Sequence, residues 1–521
     1  MPHSLPNILL VFTDQQRYDS IAALGNPIIR TPTFDRLARE GTVFERCYTP
    51  SPVCVSARCS LVTGLQPHRT GVFDNTAMPQ NLPSFMERLR ERGYQTHGVG
   101  KMHFTPDPRR MWGFESRDLS EEGMEDDDFK ESLRAAGFGH VEDANGVRGE
   151  YYYIPQVSQL PAHLHNSHWV ADRSIDFLRR RDKTRPFFLW ASFIKPHPPF
   201  EVPTPWNKLY RGAEMLPPFR PEGCENLLTF WNRVQNRYKY RDAGQDDHLL
   251  RTMRAAYYAQ VSFLDYNLGR ILAALGEDIH HTLIVVTSDH GELLGDYGSF
   301  GKRCMLDAAA RVPLIARWPG HFTSGGRTAA PASLIDLWPT FLSAAGYACS
   351  RADPEGATLM AVAGGRFAHR YVFSQFSQKR TGLYLITDGR WKYSYSAADR
   401  KEWLFDLHLD PRESHNLAYN PAYRRKTVEL REELIARFER DGYADAVEHG
   451  GWRVYPTPDL PDDPDYGLLY QDAPLTQQHI DELGVYARPV TLPPEYAAEM
   501  LFRVTGQNER EERPSQVDAG E

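Results

Sequence analysis

The sequence predicts an α/β fold: a mainly parallel sheet with helices on both faces, followed by a smaller C-terminal antiparallel sheet subdomain. Three observations predict it. The apolar runs Asn7–Thr13, Pro186–Phe193 and Thr282–Thr287 read as strands buried on both faces, as parallel sheets require. Segments of helical length lie between such runs, and the alternation persists to about residue 345. From Tyr371 the texture changes to short alternating stretches, Tyr371–Phe376, Tyr384–Thr387 and Trp391–Tyr395, before a helix over Arg424–Arg440.

At 521 residues, 41% hydrophobic and 25% charged, the chain is long enough for more than one domain. The change of texture divides it into a main domain over 1–365, an α+β subdomain over 366–449 and an extension over 450–521. The extension is rich in Pro, Asp and Tyr and poor in core-forming residues. Its Tyr455, Tyr466, Tyr470 and Tyr486 suit an arm lying on another subunit, so a homo-oligomer is expected. A net charge of −8 with no basic run leaves no nucleic-acid footprint. The apolar run Ile8–Phe12 is too short to span a membrane. The first residues, Met1-Pro-His-Ser-Leu-Pro, lack the layout of a signal peptide. The six cysteines, Cys47, Cys54, Cys59, Cys224, Cys304 and Cys349, form no spaced framework, so reduced thiols in a cytoplasm are expected.

In chain order, the first strand ends at Asp14-Gln15, and polar residues just beyond strand ends are where open α/β sheets place ligands. A cap or turn is the ordinary job of such an Asp. Thr33–Arg39 reads as a helix, and Ser51-Pro52 then interrupts regular structure. A helix is expected from near Cys54 to just before Gly64, with Arg58 one turn after Cys54 on the same face. Free N–H groups and the dipole at a helix start favour an anion. A nucleophile beside a guanidinium there suits an ester of sulfate or phosphate. Leu82–Arg92 reads as an amphipathic helix stopped by Gly93, followed by a short strand and Gly100-Lys101-Met102-His103. Residues 105–160 carry acidic and aromatic patches, Glu125–Asp128 and Tyr151–Tyr153, and read either as solvated surface or as a lid or specificity insertion. Ala162–Arg181 and Leu249–Leu275 read as helices. Prolines after the Pro186–Phe193 strand hold His197 at the sheet edge, and the strand Thr282–Thr287 delivers Ser288-Asp289-His290-Gly291-Glu292.

These segments resemble one family. Cys54, Arg58, Thr63 and Gly64 match the signature of formylglycine-dependent sulfatases, in the alkaline phosphatase superfamily; Ser56 and Ala57 replace the usual Pro or Ala and the usual Ser. Gly93–His103 resembles the second sulfatase signature, Ile194–Pro199 the strand-then-Pro-His segment, and Ser288–Glu292 the metal-binding pair. Lys302, Val312–Ala316, Ser333–Thr340 and Leu404–Leu417 follow in family order, so the resemblance covers about residues 5–440. It lies near the arylsulfatase, choline-sulfatase and phosphonate monoester hydrolase branches.

The resemblance implies an alkaline phosphatase-like fold and an arylsulfatase-like hydrolysis of sulfate monoesters. Cys54, oxidised by a formylglycine-generating maturation enzyme, would become an aldehyde whose hydrate attacks sulfur with one hydroxyl and expels sulfate with the other. Arg58, Lys101 and Lys302 would offset charge, His197 would serve the leaving oxygen, His103 would serve release, and Asn75 would touch substrate. Asp14, Gln15, Asp289 and His290, with residue 54, would hold one divalent metal ion, Ca²⁺ or Mn²⁺, with Zn²⁺ also compatible with the His nitrogen. Two other readings remain open at this point. One is a phosphonate monoester or phosphodiester hydrolase with the same nucleophile. The other is a catalytically silent binding protein, should Ser56 block maturation.

Overall fold

The computed structural model describes residues 5–460, apart from 123, 125, 149–151, 240–245, 349–354 and 365–368. Its centre is a sheet built from β1 (Asn7–Asp14), β2 (Thr42–Tyr48), β3 (Gln95–Gly100), β4 (Ser116–Leu119), β5 (Phe187–Pro196), β6 (Thr282–Ser288), β7 (Leu314–Arg317) and β8 (Gly326–Ser333). The spatial order is β8-β2-β7-β6-β1-β5-β3-β4, and the short stretch Arg311–Val312 also pairs with β2. All neighbouring pairs are parallel except those of β7 with β2 and β6.

The strand pleat sorts the core into two layers. Leu9, Val11, Leu189, Ala191, Ile284 and Val286 point to one face, among residues of the helices Pro32–Glu40, Asn166–Arg180 and Asp247–Leu275. Ile8, Leu10, Phe12, Phe188, Trp190 and Val285 point to the other, among residues of Cys54–Thr63, Phe85–Glu91 and Leu337–Ala344. The central strands are therefore apolar on both sides, and the fold is the mainly parallel, two-faced sheet that the sequence predicts.

Several boundaries move for local reasons. The helix expected over Leu82–Arg92 begins at Phe85, because Ser84 accepts from Glu87 N and the Glu87 carboxylate takes Ser84 N, a capping box. The helix expected from Ala162 begins at Asn166, with His165 accepting from Ser167 N. β5 runs on to Pro196, past Phe193, and its register with β1 shifts between Thr13 and Asp14. The sequence reading has no strand at β8. Its segment contains Pro331, its outer half is partly exposed, and it lies at the sheet edge, where a missing N–H is tolerated.

The second sheet is antiparallel and four-stranded, with β9 (Val372–Phe376), β10 (Leu383–Thr387), β11 (Trp391–Ser396) and β12 (Lys401–Asp406) in chain order. One face packs on the helix Arg424–Arg440 through Tyr384, Ile386, Tyr393, Leu430, Leu434 and Phe438. The other face puts Leu383, Leu385 and Phe376 against Tyr48, Val53, Trp231 and Met305 of the main body. Trp452 stacks on Tyr395 at 4.4 Å, so the start of the C-terminal extension lies on this sheet. The proposed arm beyond residue 460, with Tyr466, Tyr470 and Tyr486, lies outside the described residues, as does Cys349. The described cysteines are free thiols, and no described helix is long and apolar enough to cross a membrane.

A buried ion cluster fastens the small sheet to the large one. Lys392 on β11 pairs with Asp307 at 2.6 Å and with Glu413. Asp307 also faces Arg46 of β2 at 3.6 Å and Arg311 at 3.4 Å. Lys392, Asp307 and Glu413 are almost wholly inaccessible, so removing the lysine leaves two carboxylates without their shared cation. Lys392→Met is expected to lower unfolding stability by about 3–5 kcal/mol. Urea unfolding checks this: the midpoint should fall with little change in slope. A loss under about 1 kcal/mol would show that the cluster contributes no more than an ordinary surface pair.

Candidate active site

Two neighbouring parallel strands, β1 and β6, end side by side and deliver the first four groups. Asp289 N donates to Thr13 O at 3.3 Å, and Asp289 Oδ1 accepts from Gln15 N at 3.0 Å and His290 N at 2.9 Å. Gln15 turns the chain with φ of 65°, so the backbone leaves the sheet at the point where the carboxylates stand. Asp14 and Asp289 are fully buried.

Cys54 enters from the opposite side as the first residue of the helix Cys54–Thr63, which ends at Gly64 in the left-handed conformation with φ of 72°. The helix start is held from behind. Asn75 Oδ1 accepts from Val55 N at 3.0 Å, and Ser56 Oγ donates to Val72 O at 2.6 Å. Ser56 thus makes a bond that proline at that position could not. Cys54 Sγ lies 3.2 Å from His290 Nε2 and 3.7 Å from Asp14 Oδ1. One donor atom from each of Asp14, Cys54, Asp289 and His290 lies within 4.8 Å of the others, all buried.

Cations close the ring. Arg58, inaccessible and one turn beyond Cys54, donates Nε to Asp289 Oδ2 at 3.0 Å and Nη2 to Asp14 Oδ2 at 3.2 Å. Its Nη1 holds Lys101 O at 2.7 Å and Ser192 Oγ at 3.2 Å. Lys101 Nζ reaches Asp14 Oδ2 at 2.8 Å. Lys302 Nζ lies 2.9 Å from Cys54 Sγ and 2.8 Å from Gln15 Oε1. Burial works against charge here, yet the neighbours decide. For Asp14, burial pushes the carboxyl up, but Lys101, His197, Lys302 and Arg58 outweigh it and hold it well below the usual range. For Asp289, burial and then Asp14 push upward more than His290 and Arg58 pull down. For Cys54, burial and Asp14 push the thiol up, but Lys302, Lys101 and His290 bring it well below its ordinary value. Asp14 turns Oδ2 to the cations and leaves Oδ1 facing Cys54 and His290. Crowded carboxylates, an imidazole nitrogen and a sulfur around one point fit a divalent cation.

The family model described as sulfatase matches residues 6–347. The chain belongs to the sulfatase family. A model described as N-sulphoglucosamine sulphohydrolase, C-terminal, matches residues 295–440. The chain is similar to an arylsulfatase of Clostridium perfringens (strain 13 / Type A), 29% identical over 477 residues, a match covering 84% of this chain and 96% of the relative. It is also similar to a choline-sulfatase of Rhizobium meliloti (strain 1021), 30% identical over 439 residues, covering 80% and 83%. Among solved structures it is similar to a phosphonate monoester hydrolase of Agrobacterium radiobacter, with a TM-score of 0.72, 26% identity and coverage of 84% and 96%. The chain is thus a hydrolase of the sulfatase class. Sulfatases generally use a metal ion and a formylglycine, and this chain has a buried Asp, Cys and His cluster.

The fold brings the predicted residues Cys54, Arg58, Lys101, Lys302, Asp14, Gln15, Asp289 and His290 together. His197 lies at the same end of the sheet, with Nδ1 2.6 Å from Pro198 O and Nε2 3.5 Å from Tyr152 Oη. Burial pushes its imidazole down to about 4, against the opposing pull of Glu122. Asn75 holds the helix start, its Oδ1 accepting from Val55 N. No hydrogen bond or ion pair among the described residues joins the His103 side chain to the cluster; its Nδ1 is buried without a partner.

The sequence reading missed the contribution of residues 105–160. The stretch is not merely solvated surface. Glu121 accepts from Met102 N at 2.8 Å and His103 N at 2.9 Å, which fixes the loop carrying Lys101. Asp127, from the acidic run, caps the helix Asp128–Ala135. Glu122 reaches both Lys101 and His197. Ser192 and Glu292 were also missed as partners, of Arg58 and Gln15 respectively. Apart from the Asp127 cap, none of these carries a local signal, because each works through a neighbour distant in sequence.

The Arg58 guanidinium bonds both Asp14 and Asp289, so Arg58→Met takes from buried Asp289 its guanidinium partner and leaves Asp14 with Lys101. In protein stripped of metal by chelation, this variant is expected to lose about 3–5 kcal/mol of unfolding stability. A urea titration measures it. A loss under about 1 kcal/mol would mean that the two carboxylates do not depend on this cation.

Proposed function

We propose that the chain hydrolyses sulfate monoesters, arylsulfatase-like, through a formylglycine made from Cys54 and one divalent metal ion. The observation that carries the reading is the position of Cys54: a buried thiol at a helix start, 2.9 Å from Lys302 and 3.2 Å from His290, opposite two carboxylates. Asp14, Gln15, Asp289 and His290 would hold the metal together with residue 54. A bound cation would make a coordinated hydroxyl more acidic and polarise an oxygen of the ester. The imidazole donor favours Mn²⁺ or Zn²⁺ more than an all-oxygen set would, with Ca²⁺ still served by the carboxylates.

The chain's own residues then divide the work. Arg58, Lys101 and Lys302 offset the charge on the nonbridging oxygens. His197, as the imidazolium, would give the Nε2 proton to the leaving oxygen and keep its Nδ1 hydrogen on the Pro198 carbonyl. His103 assists release of sulfate from residue 54; its unpartnered Nδ1, next but one to Lys101, supports that role. Asn75 contacts substrate from the helix start. A formylglycine hydrate would supply a second hydroxyl on the same carbon, which a serine lacks. The partners of this reading are a small sulfate ester and a maturation enzyme, with no nucleic acid and no membrane. A main catalytic domain over 1–365, a subdomain over 366–449, a homo-oligomeric arm over 450–521 and a cytoplasmic setting complete it.

A second reading, phosphonate monoester or phosphodiester hydrolysis, is favoured by Gln15 and His290 and by similarity to the Agrobacterium radiobacter hydrolase. Sulfate monoesters, phosphonate monoesters and phosphodiesters all carry a single negative charge, so geometry decides. In this reading Lys101, beside Asp14, would donate to an oxygen of sulfate where a phosphonate offers carbon, leaving that donor unmatched.

The comparison is kcat/KM for an aryl sulfate and an aryl phosphonate sharing one leaving group. The sulfate is expected to win by at least about tenfold, the worth of one unmade hydrogen bond to a charged donor. Lys101→Met should narrow that gap. A clear phosphonate preference would promote the second reading. Cys54→Ala is expected to lower kcat by about a thousandfold or more on either ester, and full activity in that variant would remove the nucleophile assignment.

A further inference from the structure

The carboxylate of Glu122 accepts from two groups given substrate roles above. It meets Lys101 Nζ through Oε2 and His197 Nδ1 through Oε1 at 3.1 Å. Arg148 Nη2 also pairs with Oε1 at 2.5 Å. The Glu122 side chain is 13% exposed, so this contact is held in a largely dry setting. Burial pushes the carboxyl up, but His197, Lys101 and Arg148 outweigh it, so Glu122 stays ionised.

We propose that Glu122 is the positioning residue that ties the anion-binding lysine to the leaving-group histidine across the scissile ester. The inference rests on the hydrolase reading above. A carboxylate on one imidazole nitrogen fixes the tautomer, turns the other nitrogen toward its target and stabilises the imidazolium. Here Nδ1 carries its hydrogen toward Glu122 and Pro198 O, and Nε2, whose one hydrogen-bond neighbour among the described residues is Tyr152 Oη at a long 3.5 Å, is the nitrogen that would serve substrate. The step runs through the imidazolium, which carries hydrogen on both nitrogens: as the ester bond to sulfur breaks, its electron pair stays on the leaving oxygen, which takes the Nε2 proton and leaves His197 neutral with its hydrogen on Nδ1, while the proton of the attacking hydroxyl passes to solvent. The nucleophile's oxygen forms the new bond to sulfur, and Glu122 keeps its charge throughout. The same carboxylate weakens the pull of Lys101 on an incoming anion. Glu122 therefore trades ground-state affinity for orientation.

That trade gives a signature that a structural prop would not. Glu122→Gln keeps the shape and removes the charge. With esters of poor leaving groups, kcat is expected to fall about 10- to 100-fold, the range of a general acid partly lost. With a good leaving group such as 4-nitrophenol the fall should be under about 5-fold, because little protonation is needed. Inorganic sulfate, titrated without turnover, should bind more tightly to Glu122→Gln than to wild type. In a His197→Ala background, Glu122→Gln should add little further loss. Arg148→Gln leaves the lysine and histidine contacts in place and should keep the wild-type spread between leaving groups.

An equal loss for every leaving group, weaker or unchanged sulfate binding, or the same pattern from Arg148→Gln would overturn the assignment. Glu122→Asp, one methylene shorter, offers a second variant and should lie between wild type and Glu122→Gln in the leaving-group spread. If wild type cleaves no ester of a sulfate, phosphate and phosphonate panel, the hydrolase reading fails by itself. The sulfate titration still decides whether Glu122 acts on the anion site.

Discussion

The arrangement rests on Arg58 between Asp14 and Asp289. Two adjacent parallel strands end in carboxylates that cannot both stay charged in a dry interior without a counter-ion. Arg58 supplies one, rigid and always protonated, and spends its remaining donor on Lys101 O and Ser192 Oγ. This single side chain therefore registers three elements: the helix that opens at Cys54, the strand ends and the loop that carries Lys101. The helix Cys54–Thr63 is buried along its whole length. Its orientation is set by these bonds and by Asn75 and Ser56 at its start rather than by an amphipathic face.

Electrostatic tension follows from that choice. The site holds more buried charge than packing alone would favour, and the pull on each group differs: Asp14 is held low, Asp289 high and the Cys54 thiol low. Groups pushed apart in this way mark functional sites more often than structural ones. The small antiparallel sheet contributes from outside. Its inner face packs against Val53, the residue before Cys54, and the Lys392, Asp307 and Glu413 cluster fastens it there. The second sheet thus buttresses the backbone from which Cys54 projects.

How much of this was legible follows from the same physics. The doubly buried strands β1, β5 and β6 show as continuous apolar runs because both faces meet helices. Cys54 with Arg58, and Asp289 with His290, are legible because the chemistry needs those groups at fixed local spacing. The edge strand β8 was not legible: Gly326, Pro331 and its small residues carry no apolar period. Glu122 was hidden by its own context. An acidic stretch reads as solvated surface, and only the fold brings Lys101 and His197 to it. The expected start of the helix at Ala162 failed by a few residues because a His cap carries little propensity signal.

The central claim is that residue 54 works as an oxidised cysteine within this charged pocket. Peptide mass spectrometry on protein of measured sulfatase activity, prepared with and without a co-expressed maturation enzyme, tests it directly. The account predicts that sulfur at position 54 is replaced by a carbonyl oxygen, and that activity rises in proportion to the modified fraction. Fully active protein whose Cys54 remains a thiol would contradict it.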